Sequence, residues 1–246
     1  MMMRVAIVGR GRVGSHLSRA FGAVAQVTQV NPHSPEDTLP ENVDYIIIAV
    51  SDDAIGEVAG RMTELWRAGK GSGKFPIMAH TSGSVPMGAL SIWPGETGVL
   101  YPLQTFSKDR ELNYNDIPFF IEGSAPETAE ALENLARLVT GNVHGADSEL
   151  RAGVHLAAVF ACNFANALWT ISDDILRQQG YSIRDMLPLI RETVEKLESL
   201  PPREAQTGPA ARGDREVMAR QERALAANPR LSEIYRLLSD YISSSE

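Results

Sequence analysis

The chain has 246 residues, enough for one large domain or two modest ones with cores of their own. Hydrophobic residues make up 43% and charged residues 22%, close to the globular average, which excludes wholesale disorder. A formal net charge of -8 at pH 7 excludes the basic face of a general nucleic-acid binder.

From the N-terminus, "RVAIV" (4–8) is a β-branched strand, "GRGRVG" (9–14) a glycine-rich turn, and "SHLSRAFGAV" a helix with Leu17, Ala20 and Phe21 on one side. His16, on the same helix, is expected to be exposed. "AQVTQV" (25–30) alternates like a strand, "NPHSPEDTLPEN" is a proline-rich loop, and "DYIIIAV" (44–50) has the composition of a strand buried on both faces. "DDAIGEVAGRMTELWRAG" reads as helix, "FPIMAH" (75–80) as strand and "VPMGALSIW" as a short helix. "GVLYPL" (98–103) and "PFFIEG" (118–123) are later strands, and "APETAEALENLARLV" is an amphipathic helix with Pro126 in its first turn.

After Gly145 the pattern changes. Asp147 to Gln179 is compatible with one long helix, and "IRDMLPLIRETVEKLESL", "REVMARQERALAAN" and "LSEIYRLLSDYI" all have helical spacing. The expectation is an α/β domain over residues 1–146, with a mainly parallel, doubly wound sheet, followed by an all-α domain over 147–246.

The single cysteine, Cys162, excludes an internal disulfide and suits a reducing compartment. The start lacks the pattern of a cleavable leader, and no uninterrupted apolar run approaches the ~20 residues that span a bilayer. A cytoplasmic protein with neither membrane nor nucleic-acid partner is expected. Charge is unevenly spread: Arg4, Arg10, Arg12 and Arg19 all precede the first carboxylate, Glu36, which points to a local anion site.

"GRGRVG" follows a strand and opens a helix, the context in which G-x-G-x-x-G marks a Rossmann-type dinucleotide fold. Gly9 permits the tight turn, Gly11 lets backbone approach a pyrophosphate, and Gly14 lets helix pack on strand. Arg10, Arg12 and Val13 share the turn, and the helix N-terminus offers free N–H groups. An NAD site usually places a carboxylate about twenty residues further on, against the ribose 2′-hydroxyl. Asn31 stands there instead, followed by His33 and Ser34, a set that suits a 2′-phosphate and hence NADP. The backbone at Val50 and Ser51, beyond the central strand, is placed against the same cofactor. Asp52 and Asp53 read as helix-capping acids. "AGKGSGKF" (68–75) looks like a P-loop but lacks its first glycine and its Ser/Thr, and reads as a surface loop. In "HTSGS" (80–84), Thr81 and Ser82 either face the nicotinamide or substrate, or cap the next helix.

"RVAIVGRGRVG", "VSDDAI", "HTSGSVPMGAL", "YPLQTFS" and "TGPAARGD" together resemble a group of bacterial proteins assigned as NADP oxidoreductases, in which a Rossmann domain precedes an all-helical domain of undefined function. The likeness covers nearly the whole chain. The architecture is also similar to pyrroline-5-carboxylate reductase, ketopantoate reductase and the β-hydroxyacid dehydrogenases. These resemblances imply a small carbonyl or imine substrate, anionic substrates included, and a homodimer built by the helical domain. In ketopantoate reductase and the hydroxyacid dehydrogenases, the first long helix after the Rossmann domain carries a catalytic lysine, with an asparagine four residues later. By resemblance His155 occupies the lysine position, and Val159 departs from the asparagine. Asn163 matches a second, substrate-contacting asparagine of the ketopantoate reductase pattern.

At 100° per residue His155 and Asn166 lie within about 20° of each other, with Asn163 about 80° away and about 12 Å along the axis from His155. His155 is thus a candidate proton donor, since imidazole titrates near neutrality, with Asn163 and Ser82 orienting substrate. A core histidine bonded to a backbone carbonyl is the competing reading. Asn166 is assigned to a hydrogen bond between helices or across a dimer. Arg212 in "TGPAARGD" is a candidate anchor for a carboxylate or phosphate, and Gln104 a weaker one; Gly213 and Asp214 read as turn and N-cap. No metal site is expected. A nucleotide-responsive binding protein without hydride chemistry is the alternative, favoured by the loss of the lysine–asparagine pair.

Overall fold

The computed structural model describes residues 2–34, 39–40, 42–70, 74–108 and 110–244. Much of the proline-rich loop and Gly71–Gly73 of the P-loop-like stretch lie outside the described residues.

The β-branched runs form strands because both of their faces are buried. Along β1 (Arg4–Val8) and β3 (Tyr45–Ile48), Val5, Ile7, Tyr45 and Ile47 enter one core, while Ala6, Val8, Ile46 and Ile48 enter the other. This is the period of two that a pleated strand imposes. The first core is closed by Leu17 and Phe21 of α1 (Arg12–Gly22) and Leu132, Leu135 and Ala136 of α3 (Pro126–Arg137). The second is closed by Ile55, Val58, Ala59 and Met62 of α2 (Ile55–Leu65), with Trp66, Leu90 and Trp93.

The sheet has seven strands in the order β2-β1-β3-β4-β5-β6-β7, with β2 Gln26–Val30, β4 Ile77–His80, β5 Thr97–Pro102, β6 Phe119–Gly123 and β7 Val143–Gly145. The first five are parallel; β6 runs against β5, and β7 runs with β6. Val8, Val30, Ile48 and His80 stand in register along one edge, with Val99 beside His80 and Glu122 beside Val99. The expected α/β, mainly parallel, doubly wound sheet is present. β7 was missed, because three residues carry no readable alternation.

Ser148 to Arg177 is helical throughout: α4 (Ser148–Ala158), a π-helical stretch Val159–Phe164, and α5 (Ala165–Arg177). Its remaining companions are α6 (Ile183–Glu195), α7 (Pro202–Ala205), α8 (Arg215–Ala224) and α9 (Pro229–Ser243). The chain divides into two compact units, Met1–Ala167 and Leu168–Glu246. The change from mixed to helical chain at residue 146 therefore precedes the compact division, and α4 packs with the sheet. Within the second unit only Ala210 and Ser239 are buried among the described residues.

Two expectations are corrected. His16 is fully buried, not exposed. Its Nε2–H donates to the Ser107 carbonyl at 2.8 Å, and its Nδ1 lies 2.8 Å from the Tyr114 hydroxyl, so it ties α1 to residues some ninety positions away. A local hydropathy pattern cannot register such partners. Second, Ser148–Arg177 is long and apolar enough to cross a membrane by length and composition alone. His155, Asn163 and Asn166 interrupt the run without lowering its average enough to fail that test.

Candidate active site

The turn after β1 is built by close backbone contact. Gly9 has φ +126°, and a Cβ there would stand 2.2 Å from the Ala49 carbonyl oxygen; one on Gly14 would stand 2.4 Å from that of Gly9. β1, β3 and the start of α1 therefore meet with no room for side chains. At Gly11 an added Cβ would meet nothing within 4 Å. Here the backbone borders open space, as the sequence assigns it. No side chain caps α1, and its first turn holds no carboxylate. Its positive end thus faces a cleft of about 550 Å³, lined among others by Gly11, Arg12, Val13, Asn31, His33 and Ser51.

Gly9, Arg10 and Val50 line the same cleft, so nine of the eleven proposed cofactor residues come together. Gly14 supports the turn from behind. Ser34 is not among the lining residues; its carbonyl accepts from Arg61 at 2.8 Å. Among the described residues no acid lines the cleft, and the Asn31 side chain accepts from the His33 backbone N–H at 3.1 Å. An uncapped helix N-terminus with Arg10, Arg12 and His33 fits a dinucleotide carrying an additional phosphate.

Further along the same edge, beyond β4 and β5, lies a second group. His80 ends β4 with no exposure, and its Nδ1 accepts from the Ser82 N–H at 3.2 Å. Burial first, then the positive charge of Arg151, lower its pKa to about 4, against the opposing pull of the Pro86 carbonyl and Asp52. The ring is therefore neutral at pH 7 and carries its proton on Nε2, which feels the Pro86 carbonyl but makes no well-formed hydrogen bond among the described residues. The Ser82 hydroxyl accepts from the N–H groups of Ser84 and Val85 at 3.1 and 3.0 Å. Both bonds lie within the "TSGSV" loop and stiffen it, whereas the short helix that follows, Met87–Leu90, starts at Pro86 with no side-chain cap. The Ser84 hydroxyl donates to Asp52 at 2.5 Å.

Tyr101, near the end of β5, is 8% exposed, and its hydroxyl lies 3.0 Å from His155 Nδ1. The backbone of Gly83 covers this pair: an added Cβ would lie 2.7 Å from both His155 Nδ1 and Tyr101 Cζ. Burial, then Asp52, raises the Tyr101 pKa, while Arg151 pulls it down. The phenol therefore keeps its proton at neutral pH. Arg151, one turn before His155, is fully buried and pairs with Glu122. It also donates to the Val85 carbonyl at 2.6 Å, so a single guanidinium joins β6, the loop and α4. The Ser148 hydroxyl bonds Glu122 at 2.9 Å and accepts from the Met87 N–H at 3.2 Å.

His155 is thus half-buried and bonded to a side chain rather than to a backbone carbonyl. Asn163 and Asn166 are exposed, and the π-helical stretch removes the 100° arithmetic that related them to His155. Arg212 is exposed in a turn of the second unit, where Asp214 caps α8 through the Val217 N–H. Gln104 is exposed and accepts from Thr105, 2.7 Å away. Sequence reasoning missed His80, Tyr101 and the Arg151–Glu122 pair. The available signal was a charged residue at position 151, one turn from His155 at the head of an apolar run.

Residues 117–242 match a family described as a domain of unknown function, DUF2520. A Bacteroides fragilis protein designated an NADP oxidoreductase is 33% identical, with a TM-score of 0.86 and 98% of each chain covered. A Streptomyces aurantiacus imine reductase is 13% identical, with a TM-score of 0.66 over 98% of this chain and 96% of that one. Plasmodium falciparum pyrroline carboxylate reductase with NADP bound is 15% identical, at a TM-score of 0.56 over 98% of both chains. The last two show the shared fold alone. A comparison with curated proteins finds no match. With a family match across its C-terminal half and a relative aligned along almost its whole length, this chain belongs to the DUF2520 family of Rossmann-type proteins.

Proposed function

We propose that this protein is an NADP-dependent oxidoreductase acting on a small carbonyl or imine substrate. The observation that carries the reading is one sheet edge holding two sites: the anion cleft beyond β1 and β3, whose described lining holds no carboxylate, and the Tyr101–His155 pair beyond β5. Three inter-strand steps separate β1 from β5, about 14 Å. The designation of the B. fragilis relative supports the same assignment.

When bound, the nicotinamide supplies or accepts hydride. The chain's own residues do the rest. The α1 N-terminus and Gly11 hold the diphosphate, and Arg10, Arg12 and His33 select the 2′-phosphate. His155 gives a proton to the substrate oxygen or nitrogen as charge develops there. Ser82 acts by fixing its loop. Asn163 and Arg212 enter as orienting groups on the sequence reading alone, Arg212 as the anchor of an anionic substrate.

The test is calorimetric titration with NADPH and with NADH, then NADPH oxidation with a panel of oxo acids and cyclic imines. Micromolar NADPH binding, much weaker NADH binding and turnover are expected. His155→Ala is expected to lower turnover about a hundredfold or more with NADPH affinity unchanged. Binding without turnover across the panel would favour a nucleotide-responsive binding protein. Absence of binding at millimolar nucleotide would sink both readings.

We also infer a homodimer in the cytoplasm with no membrane or nucleic-acid partner. Leu156, Phe160 and Phe164 are 58, 63 and 49% exposed at four-residue spacing, an apolar row that a second copy would cover.

A further inference from the structure

We infer that Tyr101 is a positioning residue for His155, holding Nδ1 so that Nε2 is the ring atom that exchanges a proton with substrate. The inference rests on the reading of His155 as proton donor and adds which atom acts and what aims it. Its basis is the 3.0 Å contact between the buried Tyr101 hydroxyl and Nδ1. The Gly83 backbone covers that contact so closely that a methyl group there would strike both rings.

The choice of a hydroxyl has a chemical consequence. A backbone carbonyl only accepts, so it holds a histidine by an N–H alone. A phenol hydroxyl both donates and accepts. Toward a neutral ring the Tyr101 O–H donates to bare Nδ1, which leaves the ring's proton on Nε2. Toward a charged ring the same oxygen accepts from Nδ1–H. The bond survives either state, so the ring need not turn when it titrates. The tyrosine retains its own proton, because burial and Asp52 hold its pKa up against the opposing pull of Arg151.

In the transfer, the Nε2–H bond of the charged ring breaks as an O–H or N–H bond forms on the substrate. The electron pair stays on Nε2, and the ring becomes neutral with Nδ1–H still facing Tyr101. Solvent then returns a proton to Nε2. Among the described residues the Tyr101 O–H has no acceptor other than His155 Nδ1, so donating there satisfies it, and the Nε2–H tautomer is the resting neutral ring that the inference requires.

The experiment is imidazole 15N NMR on the wild-type protein at alkaline pH and without nucleotide. A predominantly Nε2–H tautomer is expected for His155. In Tyr101→Phe, which keeps the ring and removes the hydroxyl, the two tautomers should mix and kcat fall at least about tenfold with KM little changed. Gly83→Ala, which wedges the pair apart while sparing both side chains, should shift the same resonances and serves if the tyrosine variant folds poorly. A wild-type ring with its proton on Nδ1, or unchanged 15N shifts in Tyr101→Phe, would overturn the inference. The tautomer is read without cofactor or turnover, so failure of the oxidoreductase reading stays distinguishable: full turnover in His155→Ala sinks the donor role, not the clamp.

Discussion

At the scale of single residues, His80 is a histidine kept neutral inside the protein, and this makes the fold sensitive to acid. Its native pKa is lowered to about 4 from 6.5, mainly by burial. In the unfolded chain the ring takes its proton near pH 6.5. Between about pH 6.5 and 4 the unfolded state therefore binds more protons, and stability falls as pH drops through that window, by up to about 3 kcal/mol. Urea unfolding at pH 7 and pH 4.5 should show the loss in the wild type and a flatter dependence in His80→Gln. An equal pH slope in both proteins would remove His80 as its source.

Residues of this kind explain what was legible in the sequence. Gly9, Gly11 and Gly14 could be assigned roles because backbone chemistry at a strand-to-helix turn is local, and nine cleft residues followed from it. Tyr101 could not. Within "GVLYPL" it is one more aromatic residue in a buried strand, and its significance comes from His155, 54 positions later. Ser82 was legible only as two alternatives, facing the ligand or capping the next helix, and its bonds to the Ser84 and Val85 N–H groups brace its own loop instead.

At the scale of elements, the decisive joint is between α4, β6 and the loop after β4. The Arg151–Glu122 pair is nearly excluded from solvent, with 1 and 14% of its side chains exposed. Breaking a buried pair on one side strands a charge and typically costs about 3–5 kcal/mol, whereas replacing both partners by neutral groups of similar shape costs far less. Glu122→Gln and Arg151→Met should each lower the unfolding midpoint more than the double variant does. Additive losses in a double-mutant cycle would show that the two residues act independently. The joint also explains why α4 packs with the sheet although its sequence reads as the start of a helical domain. Hydropathy marks where strands stop; a single buried cation decides which unit the next helix joins.

At the scale of the whole molecule, the two units differ in how far they bury themselves. The first holds two full cores around its sheet. Among its described residues the second buries only Ala210 and Ser239, while Leu189, Val194 and Leu197 are each more than half exposed. Helices of this length owe most of their stability to packing of an apolar face. A second copy would supply that packing. Light scattering should give twice the chain mass, and Phe160→Glu should lower it to one with a lower melting temperature. A monomeric wild type, or partition into membrane fractions, would sink the homodimer.

The register of β5 and the pitch of α4 keep step. Glu122, which anchors Arg151, stands beside Val99, and Tyr101, which meets His155, is two residues further along β5. Two strand residues advance about 6.7 Å and one helical turn of four residues about 6 Å, so anchor and reactive ring fall at matching heights. The arrangement works as a gauge with a fixed span. Side chains at 152–154 can vary freely in kind, but their number cannot: one residue more or fewer would swing the imidazole about 100° off the phenol while the guanidinium stayed in place. Length between 151 and 155, rather than identity, is what descent must preserve here.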